Sequence, residues 1–135
     1  MIKPFELQLR FRDLDLMGHV NNSVYLSFFE MTRVYYFEEL LGRAWDYKKE
    51  GFLLAKNEVE YFKPIFLRDK PKIHMNTTHV GNKSFTLGYE IYVESVLVTK
   101  GSSIMVAFDS VENKSIPIPL KLKETLLSMQ GSKSE

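Results

Sequence analysis

The sequence predicts an α+β domain in which one antiparallel sheet is built with one long helix. A broadly apolar stretch opens at Asn21 and keeps a helical pattern to about Leu41. Most of the chain after it divides into stretches whose apolar residues alternate. The order is therefore strand, long helix, then several strands able to pair as an antiparallel meander. A third observation is size: 135 residues make one domain, 1–135, and 44% hydrophobic residues against 26% charged are enough for a real core.

From Phe5 to Phe11, the apolar Phe5, Leu7, Leu9 and Phe11 alternate with Glu6, Gln8 and Arg10, which predicts a strand with one buried face. Asp13 and Asp15 end it, since strands disfavour aspartate. Asn21 is a good N-cap, leaving the Asn22 and Ser23 amides in the first turn. The helix that follows carries Phe28, Phe29, Val34, Tyr35, Tyr36, Phe37, Leu40 and Leu41 on so wide an arc that more than one side should be covered. Gly42 stands as its stop.

Arg43 to Glu50 is expected to hold a short helical turn with the sole tryptophan, Trp45. Phe52 to Phe62 reads as a strand broken by Lys63-Pro64. Lys72 to Val80, Ser84 to Val93 and Val96 to Phe108 are three more. Gly81-Asn82-Lys83 and Glu94-Ser95 are the turns between them, and Gly101-Ser102 marks a turn or bulge in the last. Leu120 to Met129 forms a short amphipathic helix, and Gln130 to Glu135 is expected to fray.

Composition removes several classes of function. Eighteen basic and 17 acidic residues leave a net charge of +1, which gives no reason to expect nucleic acid or an anionic membrane as partner. Cysteine is absent, so no disulfide, thiolate metal site or cysteine nucleophile is expected. His74 and His79 lie five apart in a predicted strand and point to opposite faces, so they offer no metal spacing. Met1 to Arg10 lacks the apolar run of a secretory signal, and no stretch nears the ~20 apolar residues that span a bilayer. The expected compartment is the cytoplasm.

Chemistry concentrates between Arg12 and Tyr25. Asp13, Asp15, His19, Asn21 and Asn22 fall just ahead of the long helix, with Gly18 to turn the chain. A helix N-terminus has amide N–H groups without intrahelical partners and a partial positive charge. A carboxylate placed there can act on a group whose oxygen those amides hold, which is the outline of a hydrolytic site. Aspartate and asparagine ahead of a helix are ordinarily caps; the whole run, not any one residue, argues for more.

Asp13-Leu14-Asp15-x-x-Gly18-His19-Val20-Asn21-Asn22-x-x-Tyr25 resembles the signature of hot-dog-fold thioesterases of the 4-hydroxybenzoyl-CoA thioesterase type, a group that includes many acyl-CoA thioesterases. The likeness extends through the order of elements. It implies a hot-dog fold, an antiparallel sheet wrapped around a central helix, with subunits paired edge to edge as a homodimer or homotetramer. It also implies hydrolysis of a fatty or aromatic acyl-CoA, with no cofactor because CoA belongs to the substrate. By position, Asp15 is the catalytic carboxylate, attacking the carbonyl or activating water, and the Asn22 N–H polarises that carbonyl. Asp13 is expected to fix the turn through backbone or Arg12 contacts.

His19 could hydrogen-bond the carboxylate, position water or support the loop. Plant acyl-ACP thioesterases look similar, which makes acyl-ACP the alternative substrate, but they carry Asn where this chain has Met17, and that departure leaves His19 without one proposed partner. A non-catalytic acyl-binding module is the other alternative. Another hot-dog branch places its acid on the central helix, where Glu30 stands, but Glu30 is about two turns beyond Asn22. Lys83 and Ser84 match residues that touch the CoA nucleotide in related enzymes, commonly across a subunit boundary. Lys63, Arg68 and Lys70 add diffuse positive charge. Tyr25, Phe28, Phe29, Phe62 and Met17 are candidates to line an acyl pocket.

Overall fold

A computed structural model of the chain describes residues 2–131. In chain order the elements are β1 (Phe5–Glu6), α1 (Tyr25–Leu41), β2 (Gly51–Tyr61), β3 (Lys72–Val80), β4 (Ser84–Val93), β5 (Val96–Asp109), β6 (Lys114–Ser115) and α2 (Leu120–Ser128), with 3₁₀ turns at Phe11–Asp13 and Asn22–Val24. Among the described residues the strands pair antiparallel throughout, in the order β1-β3-β4-β5-β2, with β6 on the end of β5. The predicted meander is β3-β4-β5. β2 precedes it in sequence yet joins the far side of β5, and so becomes an edge.

The alternation read in β4 is the reason for its place at the centre. Phe85, Leu87, Tyr89 and Ile91 all point to one face and are fully buried there. α1 lies on that face through Tyr25, Phe28, Phe29, Thr32, Arg33, Tyr36 and Phe37, a stripe at helical spacing. Phe29 stacks on Tyr89 with ring centroids 4.2 Å apart. α2 covers the β3 side with Leu122 and Leu126. Register shifts in β2–β5, β3–β4 and β4–β5 let the sheet curl about the helix. This is the hot-dog arrangement.

Several expectations are corrected. The first strand pairs only at Phe5 and Glu6; Asp13 then accepts the Arg10 backbone N–H at 2.9 Å, and that local bond takes the chain out of the ladder into a 3₁₀ turn. Arg43 to Glu50 is not helical. Asp46 Oδ1 accepts the Lys48 and Lys49 amides instead, and the Trp45 indole donates to the Glu50 carbonyl at 2.8 Å.

Gly101-Ser102 does not interrupt β5. A Cβ on Gly101 would overlap the Phe29 ring, so the glycine is there to admit the helix. Glu94 and Ser95 do turn the chain, both at positive φ without a glycine (50° and 68°). Gln130 is held by a bridge to Thr77, and residues 132–135 of the expected frayed tail lie outside the described residues. Among the described residues α1 is covered on one face, and Leu26, Met31 and Val34 are exposed.

Candidate active site

The Asp15 loop is a tight reversal between Leu14 and Val20, which face each other as a bridge. The Asp15 N–H donates to the His19 carbonyl at 2.7 Å, and the Gly18 N–H donates back to the Asp15 carbonyl at 3.1 Å. Gly18 sits at φ +80° with open space around it, so its role is conformational and not steric. The Asp15 side chain closes the same loop: Oδ1 accepts the Met17 N–H at 2.8 Å and the His19 N–H at 3.1 Å. Among the described residues no hydrogen bond occupies Oδ2. One oxygen orients the carboxylate and the other is open to a ligand.

Asp13 is not part of that pair. It is buried, and its carboxylate holds Arg10 through the backbone N–H and through Nη2 at 3.3 Å, so of the two expected contacts the turn uses the backbone one and not Arg12. Its carbonyl accepts the Asn21 N–H at 2.8 Å, tying the loop to the helix start. Asn21 then caps as read from the sequence: Oδ1 accepts the Ser23 N–H at 3.0 Å and its carbonyl accepts the Val24 N–H at 3.0 Å. Of the amides from Asn21 to Val24, only that of Asn22 has no acceptor among the described residues. As the first residue of the turn it has none within the helix either.

Asp15, His19, Asn22, Tyr25, Tyr61 and Lys63 surround one open cleft of about 190 Å³. Four predicted site residues are thus brought together there, with Gly18 in the loop beside them. The His19 backbone serves Asp15, while its ring stands edge-on to Phe66 at 5.0 Å and makes no hydrogen bond to the carboxylate. Tyr25 is buried, and burial pushes its phenol up to about 12; the nearby Tyr61 and Asp15 add to the rise and the Thr99 hydroxyl opposes it. It therefore stays a neutral donor in the cleft. Tyr61 was not anticipated. Its hydroxyl donates to the Asn22 carbonyl at 3.1 Å and its ring packs edge-on against Tyr25, so it steadies the residue whose amide is free. Nothing local to Tyr61 signals this, because its partner is 39 residues away.

Of the remaining candidates only Phe62 reaches the cleft. Phe28 and Phe29 are core, and Met17 is 75% exposed at the loop tip. Glu30 is exposed in a different groove, between α1 and β2. Ser84 starts β4 opposite Val106, with Lys83 just before it accepting the Ala107 N–H, whereas Tyr61 pairs with Thr99. Along β5 that separation is roughly 23 Å, so within one chain they do not reach Asp15. Among the described residues no group of His, Asp and Glu is gathered that could hold a metal ion.

Sequence reading also passed over Arg33. A charged residue one turn from both Phe29 and Phe37, inside the apolar stripe, is its signal. It is buried, and Nη1 donates to the Tyr89 hydroxyl at 2.9 Å and to Ser103 Oγ at 3.3 Å. Tyr89 donates to Ser103 at 2.9 Å, and Ser103 donates to Asn57 Oδ1 at 2.6 Å.

The fold and a carboxylate loop before a helix N-terminus are those of a thioesterase scaffold. A family model described as the thioesterase-like superfamily matches residues 9–126, and the chain belongs to that family. It is 28% identical to the uncharacterized protein YsmA of Bacillus subtilis, over 90% of this chain and 83% of the relative. It is 25% identical to a 1,4-dihydroxy-2-naphthoyl-CoA hydrolase of Microcystis aeruginosa, over 91% of each. A thioesterase of Thermus thermophilus, solved with coenzyme A and Zn, superposes with a TM-score of 0.83 at 29% identity, covering 98% of this chain and 96% of that one.

Proposed function

We propose that the protein hydrolyses an acyl-CoA thioester to the free acid and CoA. The observation that carries this is the pairing, in one cleft, of a carboxylate with one oriented and one open oxygen and an amide N–H with no acceptor. The thioester carbonyl oxygen accepts the Asn22 N–H, whose helix-end dipole stabilises the charge that develops on it. Either the open Asp15 oxygen attacks the carbonyl carbon, the carbon–sulfur bond breaks with loss of the thiolate, and water cleaves the acyl–Asp15 anhydride to the free acid, or Asp15 removes a proton from water that attacks the carbonyl, the carbon–sulfur bond breaks, and that proton passes to the leaving thiolate. Tyr61 keeps the amide in place. CoA as carrier is supported by the Microcystis relative, whose name specifies a CoA ester, and by the coenzyme bound in the Thermus structure.

A homodimer or homotetramer fits the surface. β2 is an edge strand of eleven residues bearing exposed Leu53 and Leu54, beside the exposed Leu26, Met31 and Val34 of α1. A second protomer would also supply a Lys83-Ser84 turn for the nucleotide phosphates, which a single chain's own geometry keeps away. The test is thiol release from a panel of aliphatic and aromatic acyl-CoAs, run beside the same acyl groups on ACP. Turnover of a CoA ester supports the reading; turnover restricted to ACP esters moves the carrier, and turnover of neither removes it.

A further inference from the structure

The apolar groove between α1 and β2 has a volume of about 520 Å³ and contains Leu26, Glu30, Arg33, Phe37, Leu54 and Asn57. It shares no lining residue with the Asp15 cleft, and its near end, Leu26, stands one turn along the helix from Asn22. α1 and β2 run in opposite directions, so Asn22 and Tyr61 stand at one end of the seam and Arg33 and Asn57 farther along it. A groove of that size suits an acyl group, which the small open cleft cannot enclose.

Its carboxylates, Glu30 and Glu38, stand exposed at the rim, and Glu38 pairs with Arg43; the polar groups set deeper are Arg33 and Asn57. Arg33 is 8% exposed, and no ion pair of the described residues includes it. Glu30, one turn earlier, is exposed and does not pair with it. Nη1 is used by Tyr89 and Ser103, while Nη2 and Nε have no acceptor among the described residues. Ser103 accepts from Arg33 and from Tyr89, so its own proton must go to Asn57. That assigns the bonded Asn57 atom as the carbonyl oxygen and leaves the Asn57 NH₂ as another donor on the groove. Those N–H groups open on the groove and are not among the buried side-chain atoms left without a partner; an anionic acceptor suits a guanidinium held on one side by its own fold, and a carboxylate matches its fork.

We propose that Arg33 and Asn57 form a carboxylate subsite, and that the acyl group this enzyme prefers ends in a carboxylate. The proposal rests on the thioesterase reading for the identity of the ligand. Arg33 lies about three turns beyond Asn22, roughly 16 Å along the axis. Helical side chains lean toward the N-terminus, which brings the guanidinium to about 10 Å from the Asn22 amide. A dicarboxylic acyl chain of about six carbons spans that distance, with its thioester at Asp15 and its far carboxylate at Arg33.

The test compares adipoyl-CoA with hexanoyl-CoA, which differ chiefly in the terminal carboxylate. Wild type should favour adipoyl-CoA on the order of tenfold or more in kcat/KM. Arg33→Gln should bring the ratio to about one or below while hexanoyl-CoA turnover persists. Should Arg33→Gln not fold, Asn57→Asp replaces a donor by a negative acceptor at a half-buried strand position, and should abolish the same preference. No preference in wild type, or equal loss on both esters, overturns the subsite and leaves Arg33 as internal support. A shift of Arg33→Gln to monomer would overturn it too, by giving the guanidinium to the protomer contact. If wild type turns over neither ester, the function fails separately. Calorimetric binding of adipoyl-CoA against hexanoyl-CoA to the same protein then decides the subsite alone: tighter adipoyl-CoA binding supports it, and equal binding overturns it.

Discussion

Asn21 accepts through one oxygen from both the N–H and the hydroxyl of Ser23, and so holds the turn that presents the next residue's amide. Removing that oxygen and altering the neighbouring side chain are therefore different experiments. Asn21→Ala should cost about 1 kcal/mol of stability and lower turnover, because the Asn22 N–H loses its fixed direction. Asn22→Ala should leave turnover within a few-fold, since the proposed group is the backbone N–H. Denaturant melts with steady-state rates on both variants check the contrast; a larger loss in Asn22→Ala would point to its side chain instead. At this scale the site was legible where it is contiguous. Asp15, Gly18, His19, Asn21 and Asn22 are ten residues or fewer apart and their loop closes on itself. Tyr61 and Thr99 reach Tyr25 and Asn22 only through the pairing of β2 with β5, which no local pattern encodes.

Among the elements, Gly101 decides how closely α1 can lie on the sheet. Its missing Cβ makes room for Phe29, which in turn stacks on Tyr89. Gly101→Val should destabilise the protein by about 2–3 kcal/mol, read as a lower urea midpoint, although valine suits strands better than glycine. The alternation of β4 was legible to the residue, because it has one face in the core and one outside; in β3 a register shift between Thr77 and His79 breaks the alternation, so His74 and His79 pair with Glu90 and Thr86 on one face of the sheet and not on opposite faces as expected. Phe5–Phe11 shows the same alternation without being a strand over that length. There the Asp13 carboxylate satisfies the Arg10 amide locally, and a bond of that kind outcompetes a ladder bond without altering hydrophobic spacing. Glu94-Ser95 carries no Asn-Gly or Asp-Gly signal, yet the strong strands on either side force both residues to positive φ. The neighbour of β2 was likewise hidden, since strand order depends on which edge remains free after the meander has formed.

Over the whole molecule, buried phenols make the fold sensitive to alkali. Burial raises Tyr25 to about 12 and also raises Tyr36 and Tyr89. A group whose folded value lies above its unfolded one contributes stability that is complete below the unfolded value, near 10, and lost as pH rises toward the folded value. Stability should therefore decline between about pH 10 and 12, and Tyr25→Phe should flatten part of that decline in denaturant melts across the range. The free β2 edge and the uncovered apolar side of α1 belong to the same scale. Sedimentation of the purified protein should give a dimer or tetramer; a stable monomer at micromolar concentration would contradict the assembly and leave Lys83 and Ser84 without a route to the substrate.

The central claim is that the open oxygen of Asp15 does the chemistry. The most direct measurement is single-turnover thiol release by wild type and Asp15→Asn on the best CoA ester, with melting temperatures of both. The substitution keeps an oxygen for the Met17 and His19 amides and removes the carboxylate. A loss of about 10²-fold or more with an unchanged melting temperature is the predicted result. Equal rates in a folded variant would contradict it and move the search for the carboxylate to Glu30.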